Sequence, residues 1–495
     1  MNSIIDTAIN GQKPFEGKAY FFKGNQYVRY DWDSEQVDSG FPMNLTEWNF
    51  PGAFLDGVDA ALNGVGQFAG KAYFFKGDQY VRYDWSTGKV DEGFPSSLSA
   101  WNLPSHFLSG IDAAMNGYGR TFDGKAYFFK GQEYVRYDWG TGQIDLQNVL
   151  LPAWNLPAPC SWRVDAALEG QGRYAGKAYF FRHNIYDRYD WLSQSGESGY
   201  PAHIDFWKLP ERFLYFSGKI RDHVWFVIIE PRDYFQIGNE GFYATLNGVI
   251  RVADQVGVQV DPIWMPNLRD EFLEDDTLLA LFGAGSYADW FTADGDPNWS
   301  RYLDSYCLQI RNTHVPIFAV CGTHQLIGRA FADWRAVGHM APAGLPIPTI
   351  ADEFAQHSDL TPRPRLGEVG TFPLRTCAGQ EMDPLLAGLP NNPQFVEHHH
   401  DQINPGGHPS FQAVLEPDPN REPLLTQPND QSHMNPSNIN DRCQVQALRL
   451  KATDRVLYIT QFHPEVPTSK PEVLKSSDQL IKNFFGIARG FWANR

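Results

Sequence analysis

Gly70-Lys71-Ala72-Tyr73-Phe74-Phe75-Lys76-Gly77-Asp78-Gln79-Tyr80-Val81-Arg82-Tyr83-Asp84-Trp85 decides the fold of the first half of the chain. Its two apolar runs, Lys71 to Lys76 and Gln79 to Tyr83, flank a Gly77-Asp78 turn, the pattern of a β-hairpin. Upstream, Asp59-Ala60-Ala61-Leu62 predicts a third short strand; downstream, Gly93-Phe94-Pro95 leads to a short helix before Trp101. The unit recurs four times. Gly-Lys-Ala-Tyr-Phe-Phe returns with its Lys at 18, 71, 125 and 177, and each copy is followed by Tyr-x-Arg-Tyr-Asp-Trp ending at Trp32, Trp85, Trp139 and Trp191. An Asp-x-Ala step at Asp6, Asp59, Asp112 and Asp165 precedes each copy, and a Trp-x-x-Pro at Trp48, Trp101, Trp154 and Trp207 closes it, both at intervals of 53 residues. A repeat of about 50 residues with several antiparallel strands is a propeller blade, and four of them close a ring.

The whole chain has 495 residues, length for two to four domains at about 150 residues each. Its 42% hydrophobic and 20% charged residues exclude a wholly disordered chain. Forty-one Lys and Arg against 58 Asp and Glu give a net charge of -17, which argues against non-specific nucleic-acid binding and favours cationic ligands. No apolar run reaches the roughly 18 residues of a membrane span, and the start Met1-Asn2-Ser3-Ile4-Ile5-Asp6 lacks the pattern of a secretory signal. The five Cys, at 160, 307, 321, 377 and 443, are scattered and show no CxxC, so neither a disulfide framework nor a Cys-rich zinc site is expected. A reducing, cytoplasmic setting is the expectation.

After Trp207-Lys208-Leu209-Pro210 the repeat stops. The unbroken apolar run Val224 to Ile229 predicts a buried strand. Ala244 to Val256 then reads as a helix, Gln259 to Trp264 and Leu278 to Phe282 as strands, Trp299 to Asn312 as a helix, Val315 to Val320 as a strand, and a further helix begins at His324. This alternation predicts an α/β domain with a mostly parallel sheet. The expected organisation is a propeller over 1–212, with blades near 1–53, 54–106, 107–159 and 160–212, a linker over 213–219, and the α/β domain over 220–495.

The four units resemble hemopexin-type repeats, and the resemblance covers residues 1 to about 212. It implies a narrow central tunnel in which Asp side chains and backbone carbonyls hold cations. The matching positions are Asp6, Asp59, Asp112 and Asp165, with Ala19, Ala72, Ala126 and Ala178 from the next strand. Such oxygens suit Ca²⁺ or Na⁺, with local turn capping by each Asp as the competing reading. With only Cys160 in this region, no disulfide locks the first blade to the last, and closure is left to strand pairing and packing. The resemblance to polyamine-binding plant albumins adds a polyamine, or a protein partner, to the propeller's expected ligands.

In the second half, Pro316-Ile317-Phe318-Ala319-Val320-Cys321-Gly322-Thr323-His324-Gln325-Leu326 and Gln461-Phe462-His463-Pro464-Glu465 resemble two signatures of class I glutamine amidotransferases. A Cys at a strand-to-helix turn meets the N-terminal amides and positive dipole end of the helix, which favour its thiolate. The resemblance makes Cys321 the nucleophile, His463 its base and Glu465 the orienting carboxylate. It places an oxyanion loop at Gly283, Ala284 and Gly285, joined by Gly322, with Gln325 framing the substrate. No cofactor is expected for catalysis. Adjacent His398, His399 and His400 cannot all point one way, which argues against a metal there. The usual pattern is Gly-x-Cys-x-Gly-x-Gln, and here Ala319 and Thr323 stand at the two glycine positions, putting activity on free glutamine in question. No synthetase motif such as GxxxxGK accompanies the domain. The expected activity is therefore a stand-alone hydrolase of a small γ-glutamyl amide or glutamine, with the propeller as a recognition module. The alternatives are a non-catalytic or toxin-associated binding protein built on the same scaffold, and a glutaminase subunit for a separate synthetase.

Overall fold

The computed structural model describes residues 4–214, 220–230, 240–285, 298–331, 367–399, 411–418, 425–426 and 446–495. In the first half each repeat builds one antiparallel sheet. In the second repeat the order outward from the axis is Ala60–Asn63, Lys71–Lys76 and Gln79–Asp84, edged by Lys89–Val90 and Ser96–Ser97. The innermost strands Thr7–Asn10, Ala60–Asn63, Ala113–Asn116 and Ala166–Glu169 each lie beside the next, and the fourth beside the first, so the ring is closed. Gly77 has φ +53, the left-handed conformation that the hairpin turn requires and glycine adopts without strain. The predicted short helix is a 3-10 turn, Leu98–Trp101.

Aromatic packing explains why the closing Trp recurs. Trp48 packs edge-on against Tyr20 of its own blade at 5.1 Å and reaches Phe74 and Trp85 of the next at 5.3 and 5.6 Å. Trp207 does the same across the closure, 5.5 Å from Phe181 and 5.1 Å from Phe21. Each such pair adds about 0.5–1.5 kcal/mol beyond its buried area. Among the described residues the first and fourth sheets contain only their own repeat's strands, and there closure rests on packing and side-chain hydrogen bonds rather than on the expected strand pairing. Phe213 and Leu214, expected in the linker, are buried in the core of the first blade.

The chain divides into two units at Lys219 and Ile220. Among the described residues of the second unit the main strands are β1 (His223–Ile228), β2 (Gln259–Trp264), β3 (Leu278–Gly283), β4 (Ile317–Val320), β5 (Gly367–Thr376), β6 (Gln394–His399), β7 (Phe411–Pro417), β8 (Ala447–Leu450) and β9 (Leu457–Thr460), with the short Leu425–Thr426 paired to β5. The longer helices among the described residues are α1 (Glu240–Gln255), α2 (Trp299–Asn312), α3 (Gly322–Phe331) and α4 (Pro471–Ala493). Strand order is β2-β1-β3-β4-β9-β8-β7-β5-β6. The pairs from β2 through to β9 are parallel, and those from β9 through to β6 are antiparallel. The sheet is thus mixed rather than mostly parallel. The parallel half was readable because its strands are fully buried and therefore continuously apolar, as in β3, Leu278–Gly283. Phe226, Phe282, Phe318 and Phe484 form an aromatic run across β1, β3, β4 and α4, with centroids 5.5, 5.2 and 5.2 Å apart.

Candidate functional site

Cys321 stands directly after β4, before the first residue of α3, with φ +45. A non-glycine residue in this region costs of order 1 kcal/mol or more, and such strain marks tight, over-determined turns. The turn is fixed from the neighbouring strand: Ile317 to Val320 pair in parallel with Leu457 to Thr460, and the Cys321 amide donates to Thr460 O at 2.8 Å. That register delivers the residues after β9 to the thiol. The His463 amide donates to Val396 O of β6 at 2.8 Å, fixing the ring's backbone, and His463 Nδ1 lies 2.8 Å from Glu465 Oε1.

All three groups are nearly enclosed: Cys321 is 7% exposed, His463 8% and Glu465 2%. Burial works against a charged imidazole, but the Glu465 carboxylate and the hydrogen-bonded Cys321 thiol outweigh it, and His463 titrates well above its ordinary range. Gln461 Nε2 donates to Cys321 Sγ at 3.7 Å, a further donor toward sulfur. A thiol held between an imidazole, an amide donor and a helix N-terminus is placed as a nucleophile.

The Gly-rich loop lies against this pair. A Cβ added to Gly285 would stand 2.7 Å from His463 Cε1 and 3.6 Å from Cys321 Cβ. The loop differs from expectation in two donors. The Ala284 amide donates to Val227 O at 3.0 Å, and Gly283 is a strand residue paired on both sides. Gly285 and Gly322 are left as the amide positions beside the thiol. Thr323, at the expected glycine position, fits because Gly283 has no side chain: a Cβ there would come within 2.3 Å of Thr323 Cγ2. Thr323 Oγ1 also donates to Ala284 O at 2.7 Å, tying the loop to the turn. Gln325 lies on α3 and His398 and His399 on β6, with their side chains outside the described residues; His400 is outside altogether. Gly248 of α1 escaped the sequence reading; a Cβ on it would meet Glu465 O at 2.0 Å, so it lets the helix approach the Glu465 backbone.

In the propeller, the expected carboxylate ring does not form. Asp6, Asp59, Asp112 and Asp165 each accept the amide of a hairpin-turn residue, Gly24, Gly77, Gly131 and His183, at 2.6–2.8 Å. Ala19, Ala72, Ala126 and Ala178 lie one strand outward, opposite Asn10, Asn63, Asn116 and Glu169. Those last four form the ring instead. Asn63 Nδ2 donates to Asn10 O at 2.8 Å, Asn116 Nδ2 to Asn63 O at 2.9 Å, and Asn10 Nδ2 to Glu169 O at 2.7 Å. Trp32, Trp85 and Trp139 donate to the three Asn oxygens. The 53-residue recurrence of Asn was the missed signal.

The hemopexin family profile matches residues 5–52 and 58–105. The N-terminal part carries hemopexin repeats in a four-bladed propeller. Matrix metalloproteinase-18 of Xenopus laevis is 31% identical over 140 residues, 28% of this chain and 27% of that protein. Vitronectin of Homo sapiens is 31% identical over 139 residues, 26% of each. The chain thus spans about a quarter of the length of these curated relatives. Among solved structures, the hemopexin-fold protein CP4 from cow pea is 20% identical, with TM-score 0.35, over 42% of this chain and 96% of that one. A putative GMP synthase subunit from Thermoplasma acidophilum is 18% identical, with TM-score 0.33, over 55% and 96%. The glutaminase domain of Trypanosoma brucei CTPS is 14% identical, with TM-score 0.34, over 54% and 94%. Among the described residues, no helix is long and apolar enough to cross a membrane.

Proposed function

We propose that the second unit hydrolyses the side-chain amide of glutamine or a γ-glutamyl amide through a Cys321-His463-Glu465 triad. The observation that carries this reading is the convergence, at a strand end, of a left-handed cysteine with an imidazole anchored 2.8 Å from a buried carboxylate. The Cys321 thiolate attacks the amide carbonyl carbon, and the oxyanion faces the amides of Gly322 and Gly285. The imidazolium of His463 protonates the leaving nitrogen as the C–N bond breaks, leaving a thioester and ammonia or an amine. Neutral His463 then takes a proton from water, whose oxygen displaces the thiolate to give the γ-carboxylate. Glu465 holds the ring and stabilises its charged form throughout. The propeller is proposed as the recognition module.

The test is intact-mass analysis of the chain after exposure to a glutamine-mimicking diazo-ketone, whose diazo carbon, once protonated, is attacked by a thiolate, so that a C–S bond forms on the sulfur and N2 leaves. One adduct is expected, absent from a Cys321→Ala control. No adduct, or one that persists in the control, removes the hydrolase reading and leaves the fold as a scaffold.

A further inference from the structure

Gly248 stands in the middle of α1, where glycine is costly relative to alanine. Gly486 and Gly490 of α4 have open space where a Cβ would go, but Gly248 does not. A Cβ there would lie 2.0 Å from Glu465 O, 3.2 Å from its C and 3.8 Å from its Cα. All three are main-chain atoms, which cannot swing aside as a side-chain end would. The Gly248 Cα therefore lies within about 3.5 Å of that oxygen, the range of a Cα–H···O contact.

The helix has no room to step back. Leu246, Val249, Val252 and Ala253 are buried, and Arg251 pairs through both terminal nitrogens with Asp478 of α4 at 2.6 and 2.5 Å. Glu465, in turn, has little else to place it. Its Oε1 lies 2.8 Å from His463 Nδ1, and among the described residues no donor reaches its buried Oε2. A carboxylate with one hydrogen bond is located by its backbone, and that backbone touches Gly248. His463 is anchored elsewhere, its amide donating to Val396 O of β6. Imidazole and carboxylate thus depend on two separate elements, α1 and β6.

We propose that Gly248 is a positioning residue of the Cys321-His463-Glu465 triad: lacking a side chain, it lets α1 bear on the Glu465 carbonyl and so sets the carboxylate against the imidazole. Its consequence for catalysis rests on the hydrolase reading, whereas its effect on His463 rests on geometry alone.

The test is the titration of His463 in the full chain, labelled with [13Cε1]histidine and assigned by the signal lost in His463→Asn. Glu465 and Cys321 hold this imidazole well above its ordinary range, so a displaced carboxylate lowers its midpoint. Gly248→Ala should lower it by about one pH unit or more, a tenfold loss of proton affinity. Glu465→Gln should lower it too, and adding Gly248→Ala to that variant should shift it further by less than about 0.3 units, because both changes act through one carboxylate. If Gly248→Ala does not fold, Arg251→Gln frees α1 from Asp478 at an exposed position and should lower the midpoint in the same direction. Loss of the Arg251 charge alone would raise it. An unchanged midpoint in folded Gly248→Ala, full additivity with Glu465→Gln, or, where only Arg251→Gln folds, a midpoint that stays or rises overturns the proposal. The diazo-ketone separates this inference from the hydrolase. Wild type that labels, with an unchanged midpoint in Gly248→Ala, removes this inference alone; wild type that does not label, with a lowered midpoint, removes the hydrolase alone.

Discussion

A single methyl group shows how the turn at Cys321 accommodates Thr323. Thr323 occupies a position where glycine would be expected, and its Cγ2 lies where a Cβ of residue 283 would have to go, 2.3 Å away. Gly283 and Thr323 are thus complementary, and the Thr323 hydroxyl adds a bond to Ala284 O. Gly283→Ala is expected to destabilise the chain by about 1–3 kcal/mol, as overpacking does. In a Thr323→Gly background the same substitution should cost less than half as much. A double-mutant cycle from urea unfolding measures the coupling, and additive single effects would mean the two sites do not share this space. The resemblance to two amidotransferase signatures marked Cys321, His463 and Glu465, which lie at and just beyond the ends of β4 and β9, with His463 beside Glu465. It could not reveal that Ala284's amide is engaged by Val227, since that contact depends on how β1 and β3 pair.

At the scale of the element, the innermost strands carry the fourfold logic and its one exception. Three strands end in Asn, and the fourth ends in Glu169, whose Oε1 accepts the Asn116 amide at 2.6 Å. Loss of hydration pushes the Glu169 carboxyl up, and the hydrogen bonds from Asn116 and Asn10 only partly oppose this. The folded state therefore binds this proton more tightly than the unfolded chain does. The resulting stabilisation is full below the ordinary carboxyl range, near pH 4.3, and is lost as pH rises through the higher folded value. Glu169→Gln keeps the acceptor without the charge. The variant's urea midpoint should exceed the wild type's at pH 7, with the gap closing toward pH 4; parallel curves would exclude Glu169 as the source. Repetition alone did not reveal this ring. Asp and Asn both recur at 53 residues, and carboxylates suggest cations, but only the strand register shows which of the two occupies the ring and which caps a turn.

At the scale of the whole chain, the repeat explains why the first unit was more legible than the second. Each blade solves the same packing problem, so four independent copies of one pattern report one structure. Beyond β4, the second unit's antiparallel strands mix polar with apolar residues, as in β7 (Phe411–Pro417), and they carry no repeat to read. The repeat also multiplies one polar network. Lys71 Nζ lies 2.7 Å from Asp84 and 2.9 Å from Asp91, which accepts Arg82 Nε at 2.6 Å. Equivalent networks join Lys18, Asp31, Asp38 and Arg29; Lys125, Asp138, Asp145 and Arg136; and Lys177, Asp190, Glu197 and Arg188. The Lys hydrogen bonds hold Asp31 and Asp138 down to about 2, and hold Asp84 and Asp190 below their ordinary range. A depressed folded value means that the stabilisation is present above about pH 4 and is lost as pH falls toward 2. Each network is about a quarter exposed, so one copy contributes about 1 kcal/mol or less, and the effect is visible because four copies act together. Lys71→Met removes one cation and frees Asp84 and Asp91 to titrate nearer their ordinary values. Followed by near-UV circular dichroism in urea, the variant should be weaker than wild type at pH 7 by up to about 1 kcal/mol. It should lose less stability than wild type between pH 4 and pH 2, so the two curves converge in acid. Curves that stay a constant distance apart would mean that Lys71 stabilises the blade through its aliphatic packing and that the charge network carries none of the acid sensitivity.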